Sequence, residues 1–199
     1  ARRYCRSLLV LHKNFGDVAL TRQLRLSDLT EGEIKYLKTE GMIRLMNTRD
    51  SVGRRIFLVF FGNHPLRARR RIGIYLLFGV AAEDVVAQKH GIVFLACGMA
   101  SSVSSQRSPP SYLPDDYNGN YSWGKDHLKE IREVWKGFPV NISALHFFVP
   151  NEPKYKILVA IMLATLGKQI RFRARVHHSE SILETMYSLR SFEIGRAHV

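Results

Sequence analysis

Apolar residues recur along this chain in two alternating patterns: short unbroken runs, and longer stretches at helical spacing. The runs are Arg55-Ile-Phe-Leu-Val-Phe-Phe61, Gly91-Ile-Val-Phe-Leu-Ala96 and Ile142-Ser-Ala-Leu-His-Phe-Phe-Val149. They are rich in β-branched and aromatic residues and bounded by glycine or proline, which predicts strands buried on both faces. A fourth strand is predicted over 171–177, where Arg171, Arg173 and Arg175 alternate with Phe172, Ala174 and Val176. Period 2 places the three arginines on one face. Helical spacing predicts helices over 2–15, 31–40, 66–89, 125–136, 154–168 and 181–189. Thr30 with Glu33, and Ser181 with Glu184, have capping-box spacing, and Gly41 and Gly137 are natural stops. Within the third of these helices, Gly73 and Gly79 weaken the pattern. Residues 100–123 hold Ser, Pro, Asn and Gly in quantity and read as a long loop. No strand is expected before residue 55. Strand and helix alternate from there on, which predicts an α/β fold with a mainly parallel sheet and flanking helices, preceded by a short helical segment.

Composition adds a charge. Thirty Lys and Arg against 17 Asp and Glu leave +13, so the chain favours anionic partners such as phosphates, anionic lipid surfaces or nucleic acid. Cys5 and Cys97 stand far apart in no metal-ligand pattern, which suits a reduced, cytoplasmic chain, with a single disulfide between them as the alternative. No apolar run approaches the roughly 20 residues needed to span a bilayer. The chain opens on Ala1 rather than Met, so a longer natural N-terminus is expected. Residues 194–199, Ile-Gly-Arg-Ala-His-Val, resemble one reading frame of a short-read sequencing adapter and are set aside from the fold, with a genuine basic tail as the alternative.

Candidate chemistry narrows the reading by exclusion. The turn after the first run, Phe61-Gly62-Asn-His-Pro-Leu66, has one glycine and no following Lys-Ser or Lys-Thr, so neither a Walker nor a Rossmann phosphate cradle is expected. A hydrolase would need a Gly-x-Ser-x-Gly elbow, and none is present. His146 reads as a hydrogen-bonded core histidine. His177 and His178 are adjacent on a strand and point to opposite faces, so they are poorly placed to share a metal. Asp115 and Asp116 read as solvated loop acids. No enzyme, metal or cofactor is expected. Arg67, Arg69, Arg70 and Arg71 crowd one helix start and read either as a solvated face or as a docking patch for anionic membranes. The segment from Ile157 to Leu166 is apolar all round, which means a buried helix or one that faces lipid on one side.

Four motifs then stand in a telling order. They are Asp50-x-x-Gly53-Arg54 ahead of an apolar strand, Gln88-x-x-Gly91-Ile92-Val93, Phe138-Pro139 before Ile142-x-Ala144-x-His146, and the closing stretch from Arg171 to Ser179. In this order they resemble the CRAL-TRIO lipid-binding family over about residues 47–190. The resemblance implies three segments: an N-terminal helical region over 1–46, a lipid-binding domain over 47–193, and the adapter-like 194–199. It also implies a sheet floor under an enclosed apolar pocket, with residues 154–168 as a movable gate. Arg173 matches the family's basic headgroup position. Val140 stands where the family's phosphatidylinositol binders carry glutamate, and Asn141 where an arginine often follows. Phe94, Leu145, Phe147, Ile157, Ile161 and Met162 are expected to line the pocket, with Arg173 and Arg175 at its polar rim. Ala160 and Ala164 are expected to face the same cavity. The expected protein is a monomeric, cytoplasmic, peripheral-membrane carrier of a lipid or other hydrophobic small molecule. A basic α/β nucleic-acid-binding module is the alternative.

Overall fold

The computed structural model describes residues 2–39, 43–61, 66–98, 125–166 and 168–178. The expected loop over 100–123 and the expected last helix over 181–189 lie outside them. The described chain is α/β, with a helical N-terminal segment and a five-stranded, mostly parallel sheet flanked by helices. It divides into two compact units that are not contiguous in sequence. A helical unit spans Ala1–Ile43, His64–Val85 and Ser108–Val140, and a sheet unit spans Arg44–Asn63, Val86–Arg107 and Asn141–Val199.

The helical unit contains α1 (Arg2–Phe15), the short α2 (Val18–Thr21), α3 (Glu31–Thr39), α4 (Leu66–Glu83) and α6 (Lys125–Gly137). The capping box that opens α3 forms as spaced in the sequence. Thr30 N–H donates to Glu33 Oε2 at 2.9 Å, and Glu33 N–H donates to Thr30 Oγ1 at 3.2 Å. The inward face of α3 is Glu33 and Tyr36, with Ile34 and Leu37 half-buried. The cation that meets Glu33 is Arg71 of α4, with Nε 2.7 Å from Oε1. Arg71 also donates to the carbonyls of Asn14 and Asp28, and its guanidinium lies 4.5 Å from the centre of the Phe15 ring. One side chain thereby ties α4 to the end of α1, to the turn at Asp28 and to α3. Helices α1 and α6 approach closely at Gly137, whose carbonyl accepts from the Ser7 hydroxyl. A Cβ there would stand 2.9 Å from the Arg6 carbonyl oxygen and 2.9 Å from Val10 Cγ2.

The sheet unit contains β1 (Ile43–Arg49), which starts at the unit boundary, β2 (Arg55–Phe61), β3 (Ile92–Gly98), β4 (Ile142–Val149) and β5 (Ala174–His178). Their order in the sheet is also their order in the chain. Strands β2 to β5 are parallel neighbours. Strand β1 corrects the expectation of none before residue 55. Its own sequence is a weak strand signal, and what makes it a strand is the turn that returns it to β2. Asp50 Oδ1 accepts from the N–H groups of Val52 and Arg54, and its Oδ2 lies 2.6 Å from Arg54 Nε. Gly53 adopts φ +83°, which glycine accepts without strain. A connection this short joins antiparallel neighbours. The stretch expected as one helix over 66–89 breaks at Asp84 into α4 and α5 (Val85–His90). Aspartate favours the position ahead of a new helix.

Between β4 and β5 run α7 (Pro153–Leu166) and the single turn α8 (Lys168–Arg171). Tyr155, Val159, Met162 and Leu166 are the inward side of α7. Its first turn closes over the sheet at Gly98, where a Cβ would stand 3.2 Å from Val149 Cγ1 and 3.3 Å from Tyr155 Cε1. The other side of α7 is exposed: Ile157, Ala160, Ile161 and Ala164. Strand β5 is shorter than expected. Arg171 belongs to α8 and Arg173 to the turn after it, so the three arginines do not share one strand face. Helical pairing ending at Arg171 overrode the period-2 pattern.

Candidate functional site

The pleat of β4 sends Ala144, His146 and Phe148 to one face of the sheet, and Leu145, Phe147 and Val149 to the other. On β5 the corresponding sets are Arg175 with His177, and Ala174 with Val176 and His178. The parallel register sets His146 beside Arg175 and Phe148 beside His177. On the first face an apolar cluster of Ile56, Leu58, Val93, Leu95, Cys97, Ala144 and Phe148 runs across β2, β3 and β4. His146, His177 and Arg175 form the polar end of that face, toward β5.

The two imidazoles meet directly. His146 Nδ1 lies 2.9 Å from His177 Nε2. Their ring centroids are 5.2 Å apart, and the ring planes are inclined by only 16°. That centroid separation is close to the N···N distance plus two ring radii, so the rings lie head to head along one N–H···N bond. One imidazole donates and the other accepts, and the pair holds a single proton between its facing nitrogens. A metal ion does not fit between nitrogens so close and collinear, since each Zn–N bond takes about 2.0 Å. Among the described residues no three His, Cys, Asp or Glu side chains are grouped to hold a metal ion. Phe148 stacks on His177 with centroids 4.6 Å apart and on His146 at 6.2 Å.

Electrostatics keep the pair neutral. Burial pushes the His146 pKa down to about 4, and His177, Arg175 and Arg54 add to the fall. His177 is lowered too, first by burial and then by Arg175 and His178. On the same face, burial pushes the Cys97 thiol up to about 12, so it stays protonated.

The expected pocket residues divide. Phe94, Leu145 and Phe147 share the sheet face that α7 begins to cover, and all three are buried. Met162 is buried on the inward side of α7. Ile157 and Ile161 are 61% and 44% exposed, and Ala160 and Ala164 are exposed with them. They occupy the opposite side of the helix from Val159 and Met162, and a helix one layer thick cannot turn both sides inward. Arg173 is exposed, and its Nη1 donates to the Ile142 carbonyl at 2.7 Å, at the start of β4. Arg175 is exposed beside His146. In the helical unit, Arg67 is exposed and Arg69 and Arg70 are half-buried, while Arg71 turns inward to Glu33. Burial lowers the Arg69 pKa. Val140 is buried, and Asn141 accepts the Ile92 N–H with its carbonyl. The His146–His177 bond escaped sequence reasoning because its partners are 31 residues apart and meet only through the strand register. The outward face of α7 was legible as apolarity, but not its direction. No family model matches this chain, and no curated protein sequence matches it.

Proposed function

We propose that this chain binds a lipid or other hydrophobic small molecule and works as a peripheral protein on anionic membrane surfaces. The observation that carries the reading is the outward side of α7. Ile157, Ala160, Ile161 and Ala164 recur at helical spacing and present four apolar side chains to solvent. Elsewhere in the same unit Phe172, in the turn before β5, is 79% exposed. Exposed cations stand beside these apolar residues in the chain: Lys156, Lys168, Arg171 and Arg173. Apolar side chains that enter the acyl boundary while cations stay at the headgroups are the arrangement of an interfacial helix. Burying one isoleucine is worth about 1.5–3 kcal/mol, and each Lys or Arg near an anionic surface adds about 1 kcal/mol. No helix among the described residues is long and apolar enough to cross a membrane, so the contact proposed is with one leaflet. The resemblance of residues 47–190 to CRAL-TRIO proteins supports the same reading, with α7 as the gate over a bound lipid.

Native mass spectrometry of the purified chain tests the ligand: a co-purified lipid is expected. Retained nucleic acid in its place would favour the basic nucleic-acid module. Co-sedimentation with phosphatidylserine-containing vesicles tests the surface. Ile157→Gln with Ile161→Gln is expected to weaken vesicle binding by roughly 10–100-fold while leaving the melting temperature close to wild type, because both side chains are already exposed. Unchanged binding of the double variant would remove α7 as the docking element.

A further inference from the structure

We propose that the His146–His177 pair is an acid-operated latch on β5, holding the edge strand while the two imidazoles share one proton and releasing it when each carries its own. The latch lies within the sheet unit alone and is independent of the lipid reading.

Among the described residues β5 is the last strand in the sheet, and its sheet neighbour is β4. Two side-chain bonds supplement the ladder. At its entry, Arg173 Nη1 donates to the Ile142 carbonyl at 2.7 Å, and the Arg173 carbonyl accepts from Leu145 N–H at 3.0 Å. Toward its far end the imidazole pair joins His177 to β4, with Phe148 stacked against the ring. A first added proton can sit on the outer nitrogen of the donating ring and leave the N–H···N bond in place. A second places N–H groups on both facing nitrogens at 2.9 Å. No acceptor then remains between them, and two like charges face each other. The Arg173 bond to the Ile142 carbonyl does not involve the imidazoles and stays in place, so the strand opens from its His177 end.

Among the described residues, the neighbours that the strand register and the apolar cluster place on this face give the second proton no compensation. On β5, Arg175 stands beside His146, and His178 points to the other face. Ahead of β2 lies Arg54, whose carboxylate partner Asp50 is already engaged at 2.6 Å. On β3, Leu95 lies opposite His146, and the Cys97 thiol stays protonated. The other members of the cluster on this face, Ile56, Leu58, Val93, Ala144 and Phe148, are apolar. Both histidines titrate below the ordinary 6.5, His146 at about 4. In a released strand they return toward 6.5, so the open form binds more protons than the closed form. Opening therefore grows as pH falls from about 6.5 toward 4, by at most tenfold per pH unit for one group.

Hydrogen exchange of the Arg175–His178 backbone amides in the full chain, corrected for intrinsic rates, reads the latch. Between pH 7 and pH 4.5 the opening of β5 is expected to rise on the order of 30–100-fold, while the β2 and β3 amides do not change in step. His146→Gln with His177→Gln keeps a side-chain hydrogen bond that does not titrate, and should flatten the pH dependence. An equally steep dependence in that variant, or a flat one in the wild type, overturns the proposal. Should the variant fold poorly, imidazole ¹⁵N resonances of the wild type decide the question. Two coupled rings, one titrating well below 6, sustain the latch. Two independent titrations near 6.5 overturn it.

Discussion

Replacing Arg71 with methionine will cost the helical unit about 3–5 kcal/mol, the penalty for stranding one charge of a buried pair. The Glu33 side chain is 0% exposed and that of Arg71 is 16% exposed, so little water reaches the carboxylate once its partner is gone. The same substitution removes the donor to the Asn14 and Asp28 carbonyls and the cation over Phe15. Methionine retains most of the arginine stem's packing, so the loss reports on charge and hydrogen bonds rather than on a cavity. The double variant Arg71→Met with Glu33→Leu should recover much of the loss, because removing both charges removes the desolvation penalty along with the attraction. It will not recover all of it. A leucine side chain in place of Glu33 cannot accept the Thr30 N–H, and the capping box is lost at about 1 kcal/mol. Urea denaturation of the two variants gives both numbers. A single variant within about 1 kcal/mol of wild type would show that the pair contributes little. The result also bears on membrane docking: an arginine held in this way is not part of a surface patch, which leaves Arg67 as the exposed member of that cluster.

Gly91→Ala is expected to destabilise the sheet unit by about 3 kcal/mol or more, from two additive causes. Gly91 ends α5 with φ +78°, where an L side chain is strained by roughly 1–2 kcal/mol. Its N–H caps the helix by donating to the Ala87 carbonyl at 2.8 Å, and the next N–H, of Ile92, donates to the Asn141 carbonyl at 2.8 Å. A methyl on Gly91 would overlap that same Asn141 carbonyl and the Ser143 hydroxyl. The Ser143 side chain can rotate away at the loss of its bond to the His90 carbonyl. The Asn141 carbonyl is backbone and cannot. Gly16→Ala is the control: its φ is +68°, and nothing lies within 4 Å of an added Cβ. That variant should cost only the strain of the left-handed conformation. Thermal unfolding of the pair separates strain from collision. Equal losses would mean that the β3–β4 entry yields easily to the extra methyl.

Most elements of this protein follow from local pattern. Buried strands at 55–61 and 142–149 are apolar runs with defined stops, and a run of that kind has no stable place but a covered sheet. The Thr30–Glu33 capping box and the helical spacing are local too, because each is satisfied within four residues of chain. What depends on partners far along the chain took the folded molecule to settle. Strand β1 exists because Asp50 and Gly53 turn it back onto β2. The arginine stripe of 171–175 was broken because α8 claimed Arg171. Glu33 reads in sequence as a cap, yet its second oxygen meets Arg71, 38 residues away. The apolarity of α7 was plain, but which half of it faces outward was set by the close approach of Tyr155 to Gly98. The His146–His177 bond needed the β4–β5 register, since sequence shows that two histidines lie on strands but not which residues a parallel ladder sets side by side.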